Sequence, residues 1–151
     1  MTHSFADVLQ TYLVSVSLGT LGGTGGTWPI FLNGEPNEPD NCITIYDTDG
    51  RDYARLQPTG DMHGPAGIQV RVRAVNHRTG WAKADAIRSK LLASIRDDAN
   101  APYRRSVTVG SSSYVIECVV GVSDVLSLGK APPNNRCSLF TINALIHARE
   151  V

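Results

Sequence analysis

The segment Gly67-Ile-Gln-Val-Arg-Val-Arg-Ala74 alternates apolar and polar residues without a break. Successive side chains of a β-strand point to opposite faces of the sheet, so this alternation predicts a half-buried strand. The polar side of the strand carries Arg71 and Arg73, a pair that could bind phosphate but is more typical of a solvated or salt-bridged sheet face, or of a protein contact. The residues predicted to face the core are Ile68, Val70, Val72 and Ala74.

Shorter apolar segments on both sides of this strand predict the rest of a sheet. A short strand, Cys42–Tyr46, precedes it, and the apolar run Trp28–Leu32 lies further upstream. The C-terminal third of the chain reads as a run of strands joined by turn-forming residues. The predicted C-terminal strands are Arg105–Val109, Tyr114–Val122 and Leu139–His147.

Two segments have the periodicity of amphipathic helices. The first begins after Ser4, a good N-cap, with Asp7 at the third helical position, and Gly19 is predicted to end it. The second runs from Gly80 to Arg96, with Thr79 as its predicted cap. The apolar stripe of the first is Phe5, Val8, Leu9, Tyr12, Leu13 and Val16, and that of the second is Trp81, Ala84, Ile87, Leu91 and Ile95.

The order of these elements predicts the fold class. A chain of 151 residues fits one domain, since domains are most often about 100–150 residues long. We therefore expect one α+β domain over residues 1–151, with a mixed, mainly antiparallel sheet and two helices packed on one face.

Glycine, proline and acidic residues mark the predicted connections. The glycine-rich stretch 19–27 lacks the lysine of a phosphate-binding loop and leaves a helix instead of opening one, so it is interpreted as a flexible connector. Asp49-Gly50 predicts a tight turn, and the aspartates around it do not match a calcium-binding loop. Residues 33–41, 56–67 and 126–136 are predicted loops, the last of them exposed.

The sequence offers little to support a catalytic or metal-binding role. The histidines, His3, His63, His77 and His147, match no metal-binding spacing, and no Gly-x-Ser-x-Gly motif occurs. Three cysteines without a C-x-x-C pair predict free, buried thiols in a reducing compartment. The sequence also shows no basic signal-peptide start and no apolar span long enough for a membrane, so we expect a protein of the cytoplasm without cofactor, metal site or enzymatic activity.

The charges cancel overall but are unevenly distributed. Residues 1–70 carry a net charge of −6, residues 71–105 carry +6, and the remainder is neutral. One interpretation is neutralisation within the chain. The other is a self-complementary molecule whose acidic side meets the basic side of the next copy.

The ordered combination of features resembles the tail terminator proteins of long-tailed bacteriophages, often described as phage minor capsid proteins. An amphipathic helix leads into Leu18-Gly-Thr-Leu-Gly22 and then Trp28-Pro-Ile-Phe31. The segment Glu35–Gly50 resembles the family's proline loop, strand and turn, and Gly67–Ala74 its central strand, followed by the helix Gly80–Arg96. Leu126–Gly129 and Arg136–Asn143 resemble its closing segment.

The resemblance implies a homo-hexameric ring in the virion, at the head-proximal end of the tail tube. Such a ring stops tube polymerisation and docks to the head–tail connector, it lets DNA pass through its lumen without binding it specifically, and it is assembled in the host cytoplasm without a membrane. Another phage neck protein, for tail completion or head closure, is the near alternative, and a small ligand-binding domain or cryptic enzyme is the distant one.

The charge pattern suggests which residues would form the ring. We expect head-to-tail contacts between the acidic N-terminal half and the basic middle segment, weakened by salt. The stretches 19–27 and 126–136 are expected to be mobile in the free chain and ordered by partners. The predicted interface residues are Glu35, Glu38, Asp40, Asp47, Asp49, Arg71, Arg73, Arg78, Lys83 and Arg88.

Overall fold

The computed structural model describes residues 1–23, 25–49, 65–96, 105–131 and 135–151, without the side chains of 94–96. Gly50 of the predicted Asp49-Gly50 turn and most of the predicted loop 56–67 therefore lie outside the described residues. In chain order the elements are α1 (Phe5–Ser15), β1 (Thr20–Leu21), β2 (Pro29–Leu32), β3 (Cys42–Thr48), β4 (Ala66–Ala74), α2 (His77–Arg96), β5 (Arg105–Val109), β6 (Ser112–Val120), β7 (Leu126–Lys130) and β8 (Ser138–Glu150).

The strands form one mixed sheet organised around β8. Along the sheet the order is β1-β2-β3-β4-β8-β6-β5, and β7 also pairs with β8. The strands β1, β2 and β3 are parallel to one another, whereas the pairings of β4, β5, β6, β7 and β8 are antiparallel. The predicted α+β class with a mixed sheet is confirmed.

The long strand β8 pairs with one strand along one edge and with two strands along the other. One edge pairs with β4 from Ser138 to Ile146. The other edge pairs with β7 near its start and with β6 from Leu145 onward. A strand of 13 residues is thus shared by three partners, which places β7 beside the beginning of β8.

Both helices contribute to a single hydrophobic core. The alternation predicted for β4 is confirmed, because Ile68, Val70 and Val72 are buried while Arg71 and Arg73 are only partly covered. Val8, Leu9 and Leu13 of α1 and Ala84, Ile87 and Leu91 of α2 belong to the same buried cluster as these strand residues.

The start of α1 is as predicted, but its end is not. Ser4 accepts a hydrogen bond from the backbone of Asp7, and the Asp7 carboxylate accepts one in return, forming a capping box. The helix ends at Ser15, and Ser17 adopts the left-handed conformation with φ 61°, so Gly19 is not its terminator. Gly19 has a packing role instead, because a Cβ there would lie 2.6 Å from the carbonyl oxygen of Trp28.

Helix α2 begins earlier than predicted, with a different cap. The side-chain oxygen of Asn76 accepts hydrogen bonds from the backbone of Arg78 and Thr79, so Asn76 is the capping residue and the prediction of Thr79 is wrong. Trp81 is 44% exposed and does not belong to the buried stripe. Gly80 faces the core in its place, and the ring of Trp81 stands edge-on to Phe140 at 6.0 Å.

The prediction of an unstructured loop at 126–136 is wrong for its first half. Leu126–Lys130 pairs with the beginning of β8, although every residue of this strand is exposed. Strand β6 pairs with β8 only from Leu145 onward, which leaves backbone groups near the start of β8 for another strand to satisfy. Within the glycine-rich stretch, Thr20 and Leu21 also form a short strand beside β2.

Candidate interaction surfaces

The acidic loop, residues 33–41, folds back over the polar face of β4. One Glu35 carboxylate oxygen lies 3.0 Å from a terminal nitrogen of Arg71, and the other lies 3.3 Å from one of Arg73. Arg73 also donates to the backbone carbonyls of Asn37 at 3.2 Å and Pro39 at 2.8 Å. Opposite charges from the acidic and basic segments therefore neutralise each other within the chain.

Beneath the acidic loop a row of buried polar atoms crosses three strands. Thr44, Arg71 and Thr141 lie side by side in register on β3, β4 and β8. Both threonine hydroxyls and the Nε of Arg71 have no hydrogen-bond partner in the described structure. Buried polar groups normally find partners, so this row is unusual among the buried residues of the sheet.

Further ion pairs within the chain involve several other predicted interface residues. Arg88 lies 2.7 Å from the carboxylate of Asp124 and donates to the carbonyl of Ser123 at 3.0 Å. Asp40 pairs with Arg136 at 2.6 Å. Asp47 is also engaged, because its carboxylate accepts from the backbone N–H of Ala6 at 2.9 Å at the start of α1.

The structure therefore divides the predicted interface residues into two sets. Glu35, Asp40, Arg71, Arg73 and Arg88 form ion pairs within the chain, and Asp47 holds α1. The sequence does not separate the two sets, because the ion pairs depend on the path that the acidic loop takes over β4, and no residue pattern specifies that path. Apart from Asp47, the predicted interface residues that form no ion pair with any described residue are Glu38, Asp49, Arg78 and Lys83.

Lys83 of α2 lies in an open cleft beside the end of α1, the segment that follows it, and Trp28. We call this the Lys83 cleft. The Lys83 ammonium donates to the backbone carbonyl of Leu18 at 3.1 Å and lies 5.2 Å from the centre of the Trp28 ring. Burial lowers the pKa of Lys83. The cleft has a volume of about 410 Å³ and is lined by Val14, Ser17, Leu18, Gly19, Thr20, Thr27, Trp28 and Lys83.

Trp28 is held in an unusual backbone conformation at this cleft. Its φ is 56°, in the left-handed region that bulky residues seldom adopt. A hydrogen bond from the backbone N–H of Thr20 to the Trp28 carbonyl, 3.2 Å long, ties the residue to β1. A second cleft, of about 380 Å³, lies against Trp28 and includes Pro39, Asp40 and Val75.

Large apolar side chains are exposed around the beginning of β8. Leu126 and Leu128 of β7 are 47% and 49% exposed, and Val75 and Trp81 are 43% and 44% exposed. Val75 follows the last residue of β4, which pairs with Ser138, while Trp81 contacts Phe140. Leu126 pairs with Thr141 and so lies on the Arg71 face of the sheet, opposite the Phe140 face on which Trp81 packs. We call the two leucines of β7, Leu126 and Leu128, the β8 apolar patch. The Leu-Ser-Leu alternation was the sequence signal for this strand, although the following glycine and prolines favoured a loop.

The thiols and histidines form no metal centre in the described ranges. No group of three His, Cys, Asp or Glu side chains suited to hold a metal ion occurs in that part of the chain. The cysteines are free, as predicted, with Cys42 and Cys137 buried and Cys118 half-buried. Burial raises the pKa of Cys42 to about 11. No helix among the described residues is both long and apolar enough to cross a membrane.

Comparison with known families identifies the chain's relatives. A family model for bacteriophage tail terminator proteins matches residues 12–116, well over half of the chain. The chain belongs to the bacteriophage tail terminator family. A search of curated proteins found no match.

The matched segment runs from α1 into β6 and confirms the resemblance suggested by the sequence. It includes the acidic loop, β4 and the Lys83 cleft. The β8 apolar patch lies beyond it, since β7 follows residue 116. Membership of this family implies a place in the virion tail.

Proposed function

We propose that this tail terminator forms a hexameric ring on the head-proximal end of the phage tail tube, where it stops tube polymerisation and docks to the head–tail connector. The observation that carries this proposal is the family match over residues 12–116. The chain acts by assembly and not by catalysis, and it is assembled into the tail in the host cytoplasm. DNA passes through the lumen of the ring without specific contacts.

The exposed surface supports a role in assembly. Apolar side chains that lie together in the open are a common mark of protein contacts. The β8 apolar patch lies on β7, a strand whose only partner in the described sheet is β8. An unpaired strand edge beside exposed leucines is suited to meet another protein surface. We therefore assign the β8 apolar patch to the contacts made during tail assembly.

A polymerisation assay tests this function directly. Tail tube protein from the same phage is allowed to polymerise with and without the chain, and tube lengths are measured by electron microscopy. We expect the chain to bind tube ends and shorten the length distribution. Tubes of unchanged length, or binding along the whole tube, would contradict the proposal and favour another neck protein.

The same assay tests the assigned surface. The double substitution Leu126→Ser and Leu128→Ser removes exposed side chains, so the chain should fold normally and yet lose its effect on tube length. Val120→Ser is the control, because Val120 is an exposed apolar residue of β6 outside the β8 apolar patch. A double variant that terminates tubes normally would show that this patch is not part of the assembly contacts.

A further inference from the structure

Lys83 carries a charge that no described residue balances with an ion pair. Its ammonium is partly removed from water, yet its contacts in the described structure are a neutral carbonyl and an aromatic ring. A partly buried charge is stabilised best by an opposite charge with hydrogen bonds. An ammonium group has three donors, so Lys83 retains donors beyond the one used by Leu18.

The Lys83 cleft has the features of a site for a carboxylate. Its volume of about 410 Å³ exceeds what a single side chain needs, and Ser17, Thr20 and Thr27 add hydroxyl groups beside the ammonium. The Trp28 ring provides an apolar wall, held in place by a backbone conformation that costs energy to maintain. None of the described residues that line the cleft is acidic.

Four exposed acids form no ion pair with a described residue: Glu38, Asp47, Asp49 and Asp85. Asp47 is engaged by hydrogen bonds from the Ala6 backbone and the Asn33 side chain, which leaves the other three. Asp85 lies on α2 only two residues from Lys83. Glu38 precedes Pro39, which lines the second cleft against Trp28. Both acids therefore lie at the same end of the subunit as the Lys83 cleft, although neither lines it. A ring needs two different surfaces, one on each side of the subunit, so neither acid is placed to reach the cleft of a neighbour.

Asp49 lies at the opposite end of the sheet. Ile30 of β2 pairs with Ile43 of the parallel strand β3, so Trp28 is level with the beginning of β3. Asp49 follows the last residue of β3, roughly 25 Å away at about 3.3 Å per residue. A Cβ on Gly67 would lie 2.4 Å from the carbonyl oxygen of Asp49, so glycine lets the Asp49 backbone pack directly on β4.

We propose that the Asp49 carboxylate of one copy binds the Lys83 ammonium of the next copy, above the Trp28 ring. This contact rests on the proposed ring and names its charged interface. Donor and acceptor lie at opposite ends of the subunit, as a head-to-tail ring requires. The contact also gives a partner to an acid and a base that form no ion pair with any described residue of their own chain.

Charge reversal tests the pairing. Lys83→Glu and Asp49→Lys are made singly and together in the full chain, and oligomer mass is measured by light scattering across a concentration series. We expect each single reversal to raise the concentration needed for half-assembly by roughly tenfold or more, since close charge pairs at interfaces contribute this much. The double reversal restores the pair with its signs exchanged and should recover assembly.

Matched controls separate this pair from general charge effects. Asp85→Lys and Glu38→Lys change the net charge as Asp49→Lys does but alter acids at the cleft's own end of the subunit, so they should assemble like the wild type. Lys83→Met keeps the apolar stem over Trp28 and should fold while losing the contact, which guards against a misfolded reversal. Thermal unfolding of each variant checks that the subunit is intact.

The results separate the Asp49–Lys83 pairing from the proposed ring. Normal assembly of Lys83→Glu or Lys83→Met, or failure of the double reversal to recover when both single variants fold, overturns the Asp49–Lys83 pairing while leaving the ring intact. Loss of assembly in the Asp85→Lys control would show a nonspecific charge effect and also overturn it. A wild-type chain that forms no ring, alone or on tube ends, overturns the proposed function itself.

Discussion

Glu35 neutralises Arg71 and Arg73, the two arginines of β4, by forming an ion pair with each. Its side chain is 16% exposed and that of Arg73 is 11% exposed, so this ion pair is shielded from water more than most surface pairs. The sequence predicted both the alternation that exposes the arginines and the loop that carries Glu35. It could not predict that the loop returns to the same strand, because that contact depends on three-dimensional path and not on residue pattern.

Removing the charge of Glu35 should destabilise the subunit. In Glu35→Gln, Arg71 and Arg73 keep their partly buried charges without a carboxylate. We expect the free energy of unfolding to fall by about 1.5–3 kcal/mol, the range for hydrogen bonds to charged groups. Urea unfolding measures the change. Glu38→Gln, at an exposed acid of the same loop, should change it by less than about 0.5 kcal/mol, and equal losses in both variants would contradict this account.

Cys42 should make stability depend on alkaline pH. Burial is the main cause that raises its pKa to about 11, from 9.0 for an ordinary thiol. Between these values the unfolded chain releases the thiol proton while the folded chain keeps it. The free energy of unfolding should therefore decrease as pH rises from 9 to 11.

Chemical unfolding from pH 8 to pH 11 measures this slope. Cys42→Ala should show a smaller decrease than the wild type, since that proton is no longer involved. Cys118→Ala is the matched control, because Cys118 is only half-buried and should alter the slope less. An identical slope in Cys42→Ala and the wild type would show that another group controls the alkaline transition.

At the scale of elements, the sequence predicted most strands and both helices, and failed where a partner decides the outcome. The sequence predicts Thr79 as the cap of α2, whereas Asn76 accepts the capping hydrogen bonds. The glycine, prolines and small polar residues of 126–136 favour a loop, and yet Leu126–Lys130 forms β7. Its hydrogen bonds come from the edge of β8 that β6 leaves unpaired, and no local pattern reveals that edge.

Gly80 shows how packing can reverse a helix propensity. Alanine normally stabilises a helix by about 1 kcal/mol relative to glycine. Here a Cβ on residue 80 would lie 2.5 Å from the buried Phe140 ring and 2.9 Å from Ala74. Crowding of this kind costs about 1–3 kcal/mol, so Gly80→Ala should be destabilising.

Thermal unfolding compares this substitution with one on the exposed face. Ala82→Gly in the same helix should lower stability by about 1 kcal/mol, as propensity alone predicts. If Gly80→Ala melts at or above the wild-type temperature, Phe140 must be able to move aside, and the close packing of α2 on β8 would be wrong.

At the scale of the whole molecule, the charges balance largely inside each subunit. The net charge is zero, and the basic strand and the acidic loop neutralise each other. Proteins that bind DNA tightly release counterions through many unpaired basic groups. The tail terminator shows no such excess, which fits a ring that surrounds DNA without gripping it.

The isolated chain should therefore bind duplex DNA weakly. Electrophoretic mobility or fluorescence anisotropy at physiological salt should show no shift at micromolar protein. The ring, by contrast, should dissociate more readily as salt increases, because screening shortens the reach of contacts such as Asp49–Lys83. Tight, sequence-selective duplex binding would instead favour a nucleic-acid-binding module.

The central claim is that copies of this chain close into a ring on the end of a tail tube. Electron microscopy of the purified chain mixed with its own tail tubes tests it most directly, because class averages show both the position and the symmetry of bound protein. We expect a single sixfold ring at one end of each tube and none along its length. Bare tube ends, or protein bound without rotational symmetry, would contradict the claim.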